Sequence, residues 1–294
     1  MYERILIPLD GSKAAEIVIP YVEEIAAKLG SEIILVSVAE SKTTDRDHLH
    51  RSYLEPITKQ VQRQLKDWGA REEVKVQGKV LPGKPADEIL RFADETNVGL
   101  IAMTSRGSSV RGPWLLGNIA AKILRATGKP VLLVRAPASE AALQQKRLTK
   151  RILVPLDGSN LGEAAIPCAE TLGSALKAEL VLFQVVAPPR VWAGGEGGSY
   201  VMPPDEEGLK ASAMAYLGGV AKPLKEKGLN ISNAVDLGSA ADQIIDYAKA
   251  NAIDLIAMST HGRSGIGRWV FGSVTDKVLH AGDTAILVVP PAKA

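Results

Sequence analysis

From Ser259 the chain reads Ser-Thr-His-Gly-Arg-Ser-Gly-Ile-Gly-Arg-Trp-Val-Phe-Gly-Ser, ending at Ser273, with glycines at 262, 265, 267 and 272. A short apolar run precedes this segment and helical periodicity follows it from Val274. Glycines let backbone N–H groups approach an anion closely. A helix start adds unbonded N–H groups and the positive end of the aligned peptide dipoles. The segment therefore suits a phosphate group. Ser273 offers a cap or a donor to a phosphate oxygen, and Arg263 and Arg268 offer charge. A plainer reading stays open: Ser273 followed three residues later by Asp276 spells an ordinary capping box.

Other signatures are missing. No G-x-x-x-x-G-K-[ST] is present, and Asp10-Gly11-Ser12 stands after the first strand where a dinucleotide fold would place G-x-G-x-x-G. No G-x-S-x-G elbow points to hydrolase chemistry. Of four histidines only His261 lies near the glycine-rich segment, where a loop hydrogen bond is the simpler role. No Cys/His cluster suggests a metal. Cys168 is the one cysteine, so an intramolecular disulfide is impossible, and its apolar helical surroundings read as core.

The elements that would position this segment occur twice. Arg4-Ile5-Leu6-Ile7-Pro8-Leu9-Asp10-Gly11-Ser12 returns 147 residues later as Arg151 to Ser159, with only Ile7 changed, to Val154. Leu100-Ile101-Ala102-Met103 returns as Leu255 to Met258 at an offset of 155, so the second copy holds eight extra residues. Much of that excess falls around the glycine-rich stretch 194–199, a loop by composition. A unit this long is a duplicated domain rather than a solenoid repeat. We expect a first domain over 1–136, a polar linker over 137–149 and a second domain over 150–294.

Within each copy strand and helix alternate. In the first, β-rich runs lie at 3–9, 32–38, 74–80, 98–103 and 130–135. Between the first two, Val18, Val22, Ile25, Ala26 and Leu29 make one apolar helical stripe, closed by Gly30. The strands are nearly continuous apolar runs, which favours burial on both faces: a parallel sheet with helices on each side. Ligands of such sheets sit beyond the carboxyl ends of the strands, at the point where strand order reverses.

Composition narrows the partners. The 294 residues are 46% hydrophobic and 23% charged, with 35 basic and 33 acidic side chains. Such balance gives no pull toward nucleic acid or an anionic membrane, and the basic group Lys146, Arg147, Lys150 and Arg151 reads as solvated linker. The first residues read as strand rather than signal peptide, and no apolar run approaches the ~20 residues of a membrane span. The expected location is cytoplasmic.

The order of motifs resembles the universal stress protein family (UspA type, ATP-binding branch), over nearly the whole chain and twice. Its signature is G-x₂-G-x₉-G-[ST] after strand four, with an aspartate ending strand one. Gly262, nine residues, then Gly272-Ser273 fit the core of that signature, while Ser259 stands at the first glycine. The resemblance implies an α/β fold of two tandem doubly wound parallel five-stranded sheets, Rossmann-like and of the adenine nucleotide alpha hydrolase type. It also implies sites. Pro155, Asp157 and Val185 would hold adenosine, and Gly262, Gly272 and Ser273 the phosphates, with Ser259, Arg263 and Gly265 in the same loop. Asp157 also reads as a helix cap beside Gly158-Ser159, and Val185 as plain core. In the first copy Pro8, Asp10, Val38, Gly107 and Gly117 are kept, Thr104 replaces the first glycine and Asn118 replaces Ser/Thr. Gly112-Pro113 would stiffen that loop, so the first copy should bind more weakly or not at all.

The expectation is a regulatory stress-response protein that binds ATP, mainly in the second domain. Mg²⁺ would accompany the ATP, and AMP, ADP and cyclic AMP share the adenosine and first phosphate. Slow hydrolysis is the most catalysis expected, since no acidic pair stands near Gly272-Ser273 to hold a metal. Pairing of the domains through edge strands, a homodimer of chains and an unidentified protein partner follow from the family. The alternative is a nucleotide-free interaction scaffold of the same fold. An adenylating enzyme is a distant third, lacking any added catalytic motif.

Overall fold

A computed structural model describes residues 1–40, 44–70, 74–105, 116–135, 149–187, 205–262 and 271–291. In the first half β1 (Arg4–Pro8) leads to α1 (Lys13–Glu16) and α2 (Ile19–Leu29). Then come β2 (Glu32–Ala39), α3 (Thr44–Asp67), β3 (Val76–Pro82), α4 (Pro85–Glu95), β4 (Leu100–Thr104), α5 (Asn118–Ala126) and β5 (Val131–Val134). The second half opens with β6 (Arg151–Pro155), a 3₁₀ turn over Gly162–Ala165, α6 (Ile166–Leu176), β7 (Glu179–Val186) and α7 (Glu206–Glu226). It closes with β8 (Ile231–Leu237), α8 (Ala240–Ala250), β9 (Leu255–Ser259), α9 (Ser273–Ala281) and β10 (Ala285–Val289). The expected linker, apart from Thr149, and the glycine-rich stretch 194–199 lie outside the described residues.

Alternation along the strands decides which face each residue covers. In β1, Ile5 and Ile7 join the apolar layer under α2 and α3, while Leu6 joins the layer under α4 and α5. Both faces are covered, which is why the strands carry apolar residues without a polar alternate. The α2 stripe behaves as expected: Val18, Val22, Ile25 and Ala26 are buried. Gly30 ends the helix in the left-handed region (φ 71°), donating its N–H to the Ala26 carbonyl at 2.8 Å. Cys168 is buried, and burial raises its thiol pKa.

Strand order in the first half is β3-β2-β1-β4-β5, all parallel, and the second half repeats it as β8-β7-β6-β9-β10. Chain order therefore reverses between β1 and β4, and between β6 and β9. The two outer strands then pair with each other. β5 and β10 run antiparallel, with Leu132 opposite Leu287 and Val131 opposite Val288. Two five-stranded parallel sheets become one ten-stranded mixed sheet. The pairing gives each edge strand a partner for N–H and C=O groups that would otherwise be bare. Because it is antiparallel, the carboxyl ends of the two sets of strands point to opposite edges of the sheet.

The start of the second half is also fastened to the first. Thr149 donates its N–H to both carboxylate oxygens of Glu24 on α2 (3.0 and 3.1 Å), and its hydroxyl donates to Oε2 (2.9 Å). Asp254 accepts from the N–H groups of Lys150 (2.8 Å) and Arg151 (3.0 Å). Glu24 is only 3% exposed. Its burial raises the carboxyl pKa, the Thr149 donors pull the other way, and the nearby Asp254 adds to the rise.

Two expectations follow. Both apolar layers contain residues of both halves, so heating should give one cooperative transition with equal calorimetric and van't Hoff enthalpies; two resolved transitions would contradict the shared core. The second concerns pH. A folded-state pKa above the unfolded one means the folded chain holds that proton more tightly. The stability tied to Glu24 is therefore full below its ordinary value of about 4.5 and is lost as pH rises through the raised value. Glu24→Gln should gain stability over the wild type as pH is taken from about 4 to 8, measured by urea midpoints. An identical pH slope in both proteins would show that Glu24 is not the source.

Candidate functional site

Each half carries a cleft beyond its reversal point. In the second, the end of β6 supplies Pro155 and Asp157, β7 supplies Phe183 and Val185, and β9 supplies Met258 and Ser259. Ile244 of α8 adds to the apolar side. His261, Gly262, Gly272 and Ser273 form the opposite rim. Phe183 is 1% exposed and stacks on Tyr247, with ring centroids 4.5 Å apart.

Asp157 is held by the turn that follows it. Its Oδ1 accepts from the N–H of Ser159 (3.0 Å) and from the Ser159 hydroxyl (2.6 Å). The Ser159 Oγ in turn accepts from the Gly162 N–H (3.0 Å). Gly158 enters this turn with φ 79°, a conformation that favours glycine. Asp157 is thus a turn residue ahead of the helical start rather than its cap, which is Leu161. Two glycines close on its carboxylate: a Cβ on Gly162 would overlap Oδ1, and a Cβ on Gly262 would overlap Oδ2. Asp10 repeats the turn, accepting from the Ser12 N–H (3.0 Å) and hydroxyl (2.6 Å).

The loop beyond β9 is pinned at both ends. The Thr260 N–H donates to the Val289 carbonyl (2.9 Å), and the Gly272 N–H donates to the Thr260 carbonyl (2.9 Å). The Thr275 hydroxyl donates to the Ser259 carbonyl (2.9 Å), and the Ser259 Oγ accepts from the His261 N–H at 3.3 Å. His261 Nδ1 lies 2.9 Å from the Thr260 hydroxyl, the loop role expected of it.

One expectation fails here. The Ser273–Asp276 capping box does not form, and Ser273 is not the cap. The helix begins one residue earlier than the motif implies: Gly272 is the N-cap, and the Asp276 N–H bonds the Gly272 carbonyl (2.9 Å). Ser273 is consequently the first helical residue, with its side chain exposed at the rim. In the first half Gly117 likewise caps α5, and Asn118 is its first helical residue. The N–H groups of Ser273, Val274 and Thr275 precede the first backward helical bond, so they form the donor end of α9.

The structure brings Pro155, Asp157, Val185, Ser259, Gly262, Gly272 and Ser273 into one cleft. Pro8, Asp10, Val38, Thr104, Gly117 and Asn118 line its counterpart. Arg263, Gly265, Arg268, Gly107 and the Gly112-Pro113 pair lie outside the described residues. The cavity volume is about 250 Å³ in the second half and about 140 Å³ in the first. Ala15 replaces Gly162 and Pro85 replaces Ala240, each adding atoms to the first cleft, while Val36 in place of Phe183 works the other way. The motif reading missed the apolar wall of Met258 and Ile244, matched by Met103 and Ile89. Their shared offset of 155 was the available signal.

Gly262→Ala should lower the melting temperature, because the new Cβ must displace a carboxylate already bonded by Ser159. Gly272→Ala should barely move it, since among the described residues its Cβ would meet only the Thr260 carbonyl at 3.6 Å and the His261 Cα at 4.0 Å. Equal shifts in a thermal melt would contradict the close approach at Gly262.

Comparison with known proteins follows the duplication. The universal stress protein family profile matches residues 1–135 and again 149–290. A universal stress protein of Methanocaldococcus jannaschii, MJ0531, is 31% identical over 149 residues, covering 50% of this chain and 86% of that protein. Slr1230 of Synechocystis, also a universal stress protein, is 24% identical over 97% of this chain and 99% of its own length. The crystal structure of a universal stress protein from Archaeoglobus fulgidus superposes with a TM-score of 0.69 at 20% identity, covering 99% of this chain and all of that one. With the double profile match and a relative aligned end to end, the chain belongs to the universal stress protein family.

Proposed function

We propose that this chain is a regulatory protein that binds an adenine nucleotide, ATP foremost, in the cleft of its second half. One observation carries the reading. Gly272 caps α9 with φ −57° and ψ 144°, a backbone any residue adopts, and a Cβ there would meet only ordinary contacts among the described residues. Among the described residues nothing asks for glycine at that point. A group drawn up to the donor end of α9 would ask for it, and that end attracts anions. The rest of the cleft fits the remainder of a nucleotide. Val185, Met258 and Ile244 offer an apolar wall to a purine, and Asp157 offers a fixed acceptor to a sugar hydroxyl.

The residues favour binding over turnover. They hold and orient a phosphate chain, with Mg²⁺ arriving on the nucleotide, and hydrolysis would be slow at most. AMP, ADP and cyclic AMP present the same adenosine and first phosphate. A cytoplasmic setting, pairing of chains and control of a protein partner belong to this proposal. A nucleotide-free scaffold is the second reading, favoured by the use of Ser259 inside the loop, where its hydroxyl already accepts from His261.

Calorimetric titration of Mg·ATP into the wild type and Gly272→Val tests the proposal. Micromolar binding near one site per chain, abolished in the variant, is the expected outcome; a second site would assign ligand to the first cleft as well. No heat and no thermal shift with any adenine nucleotide would leave the scaffold reading in its place.

A further inference from the structure

Arg135 follows β5 directly, at the edge of the sheet where the first cleft opens, yet its side chain serves the other half. Its Nη2 donates to the carbonyl of Val278 (3.3 Å) and to that of Leu279, in the last turn of α9. This meeting is a product of the antiparallel β5–β10 pairing. α9 begins at the second cleft and runs back along the sheet, so its carboxyl end arrives beside the end of β5. At nine residues, the helix places about 13 Å between the two.

Among the described residues the contact has no counterpart in the other direction. At the repeat offset of 155, the position of Arg135 is taken by Pro290, which has no side-chain donor. The first half therefore grips α9 of the second, and no described residue of the second half returns the grip. Arg135 is itself anchored beside the first cleft. The preceding Val134 carbonyl accepts from Ser105 (2.9 Å), whose own carbonyl accepts from the Gly117 N–H (2.8 Å).

We propose that Arg135 is a positioning residue that the first half supplies to the phosphate site of the second. The inference rests on the nucleotide reading of the second cleft. The last carbonyls of a helix lack partners within it, and a cation there offsets the negative end of the dipole. The guanidinium meets one of them, that of Leu279, and shares the Val278 carbonyl with the Gly282 N–H (3.2 Å), which also fixes the helix along its axis. The donor N–H groups at Ser273 to Thr275 move with that axis, so the far-end grip presets where a phosphate meets them. Val278 and Leu279, whose carbonyls Arg135 holds, are the fully buried side chains that seat α9 on the sheet.

The test titrates Mg·ATP and, separately, adenosine into the full-length wild type, Arg135→Ala and Arg135→Lys. Arg135→Ala should weaken ATP binding about three- to tenfold and leave adenosine binding unchanged, because only the phosphates read the helix axis. Arg135→Lys should recover most of the loss. Unchanged ATP affinity in Arg135→Ala, or equal weakening for ATP and adenosine, overturns the proposal while leaving nucleotide binding intact. If the wild type binds neither ligand, the nucleotide reading fails on its own, and amide exchange in the ligand-free chain decides the role of Arg135. Faster exchange at Asp276 and Lys277 in Arg135→Ala, restored in Arg135→Lys, supports the grip on α9; unchanged exchange removes it.

Discussion

The pairing of β5 with β10 is the constraint on which the rest of this molecule depends. Each half alone ends in a strand of apolar residues with one bare hydrogen-bonding edge, and such an edge must be covered. Laying the two edges against each other in antiparallel register satisfies both at once. It also makes one sheet of ten strands and joins the apolar layers on each face across the boundary. The fastening of Thr149 to Glu24 is then a local reinforcement of a junction the strands already define.

The clefts obey a second constraint, set by backbone geometry. A parallel sheet opens where its strand order reverses, and the residues at strand ends there are spared from packing. In both halves the space is bounded by a serine-stapled aspartate turn on one side and a glycine-capped helix on the other. What differs is the lining. A single added methyl at Ala15 stands where the bare Gly162 lies close against the Asp157 carboxylate, and the first cavity is the smaller.

Much of this was legible in the sequence, for identifiable reasons. Burial on both faces leaves strands without polar alternates, so the runs at 4–8 and 151–155 announced parallel strands directly. Duplication supplied a second witness for every motif, and the candidate residues that the structure describes fall into the two clefts. The start of α9 was misplaced by one residue because a Ser-x-x-Asp pattern looks like a capping box wherever the helix begins; only the backbone shows that Gly272 holds that position. The pair of Tyr53 with Glu16, repeated as Tyr216 with Glu163, escaped notice because its two members recur at different offsets, 147 for the glutamate and 163 for the tyrosine. Arg135 was invisible for a different reason: its partners lie more than 140 residues away, and no local pattern marks an arginine that will reach a helix end.

Covalent fusion changes what such a pair can become. In an assembly of two identical chains, every substitution appears at both positions, and the two clefts are copies by necessity. Here one gene carries each half separately, so an alteration on one side needs no twin. Arg135 facing Pro290, and Ala15 facing Gly162, are inequalities that no twofold-symmetric assembly of identical chains could contain. The molecule keeps the outline of a dimer while its halves are free to take up different trades.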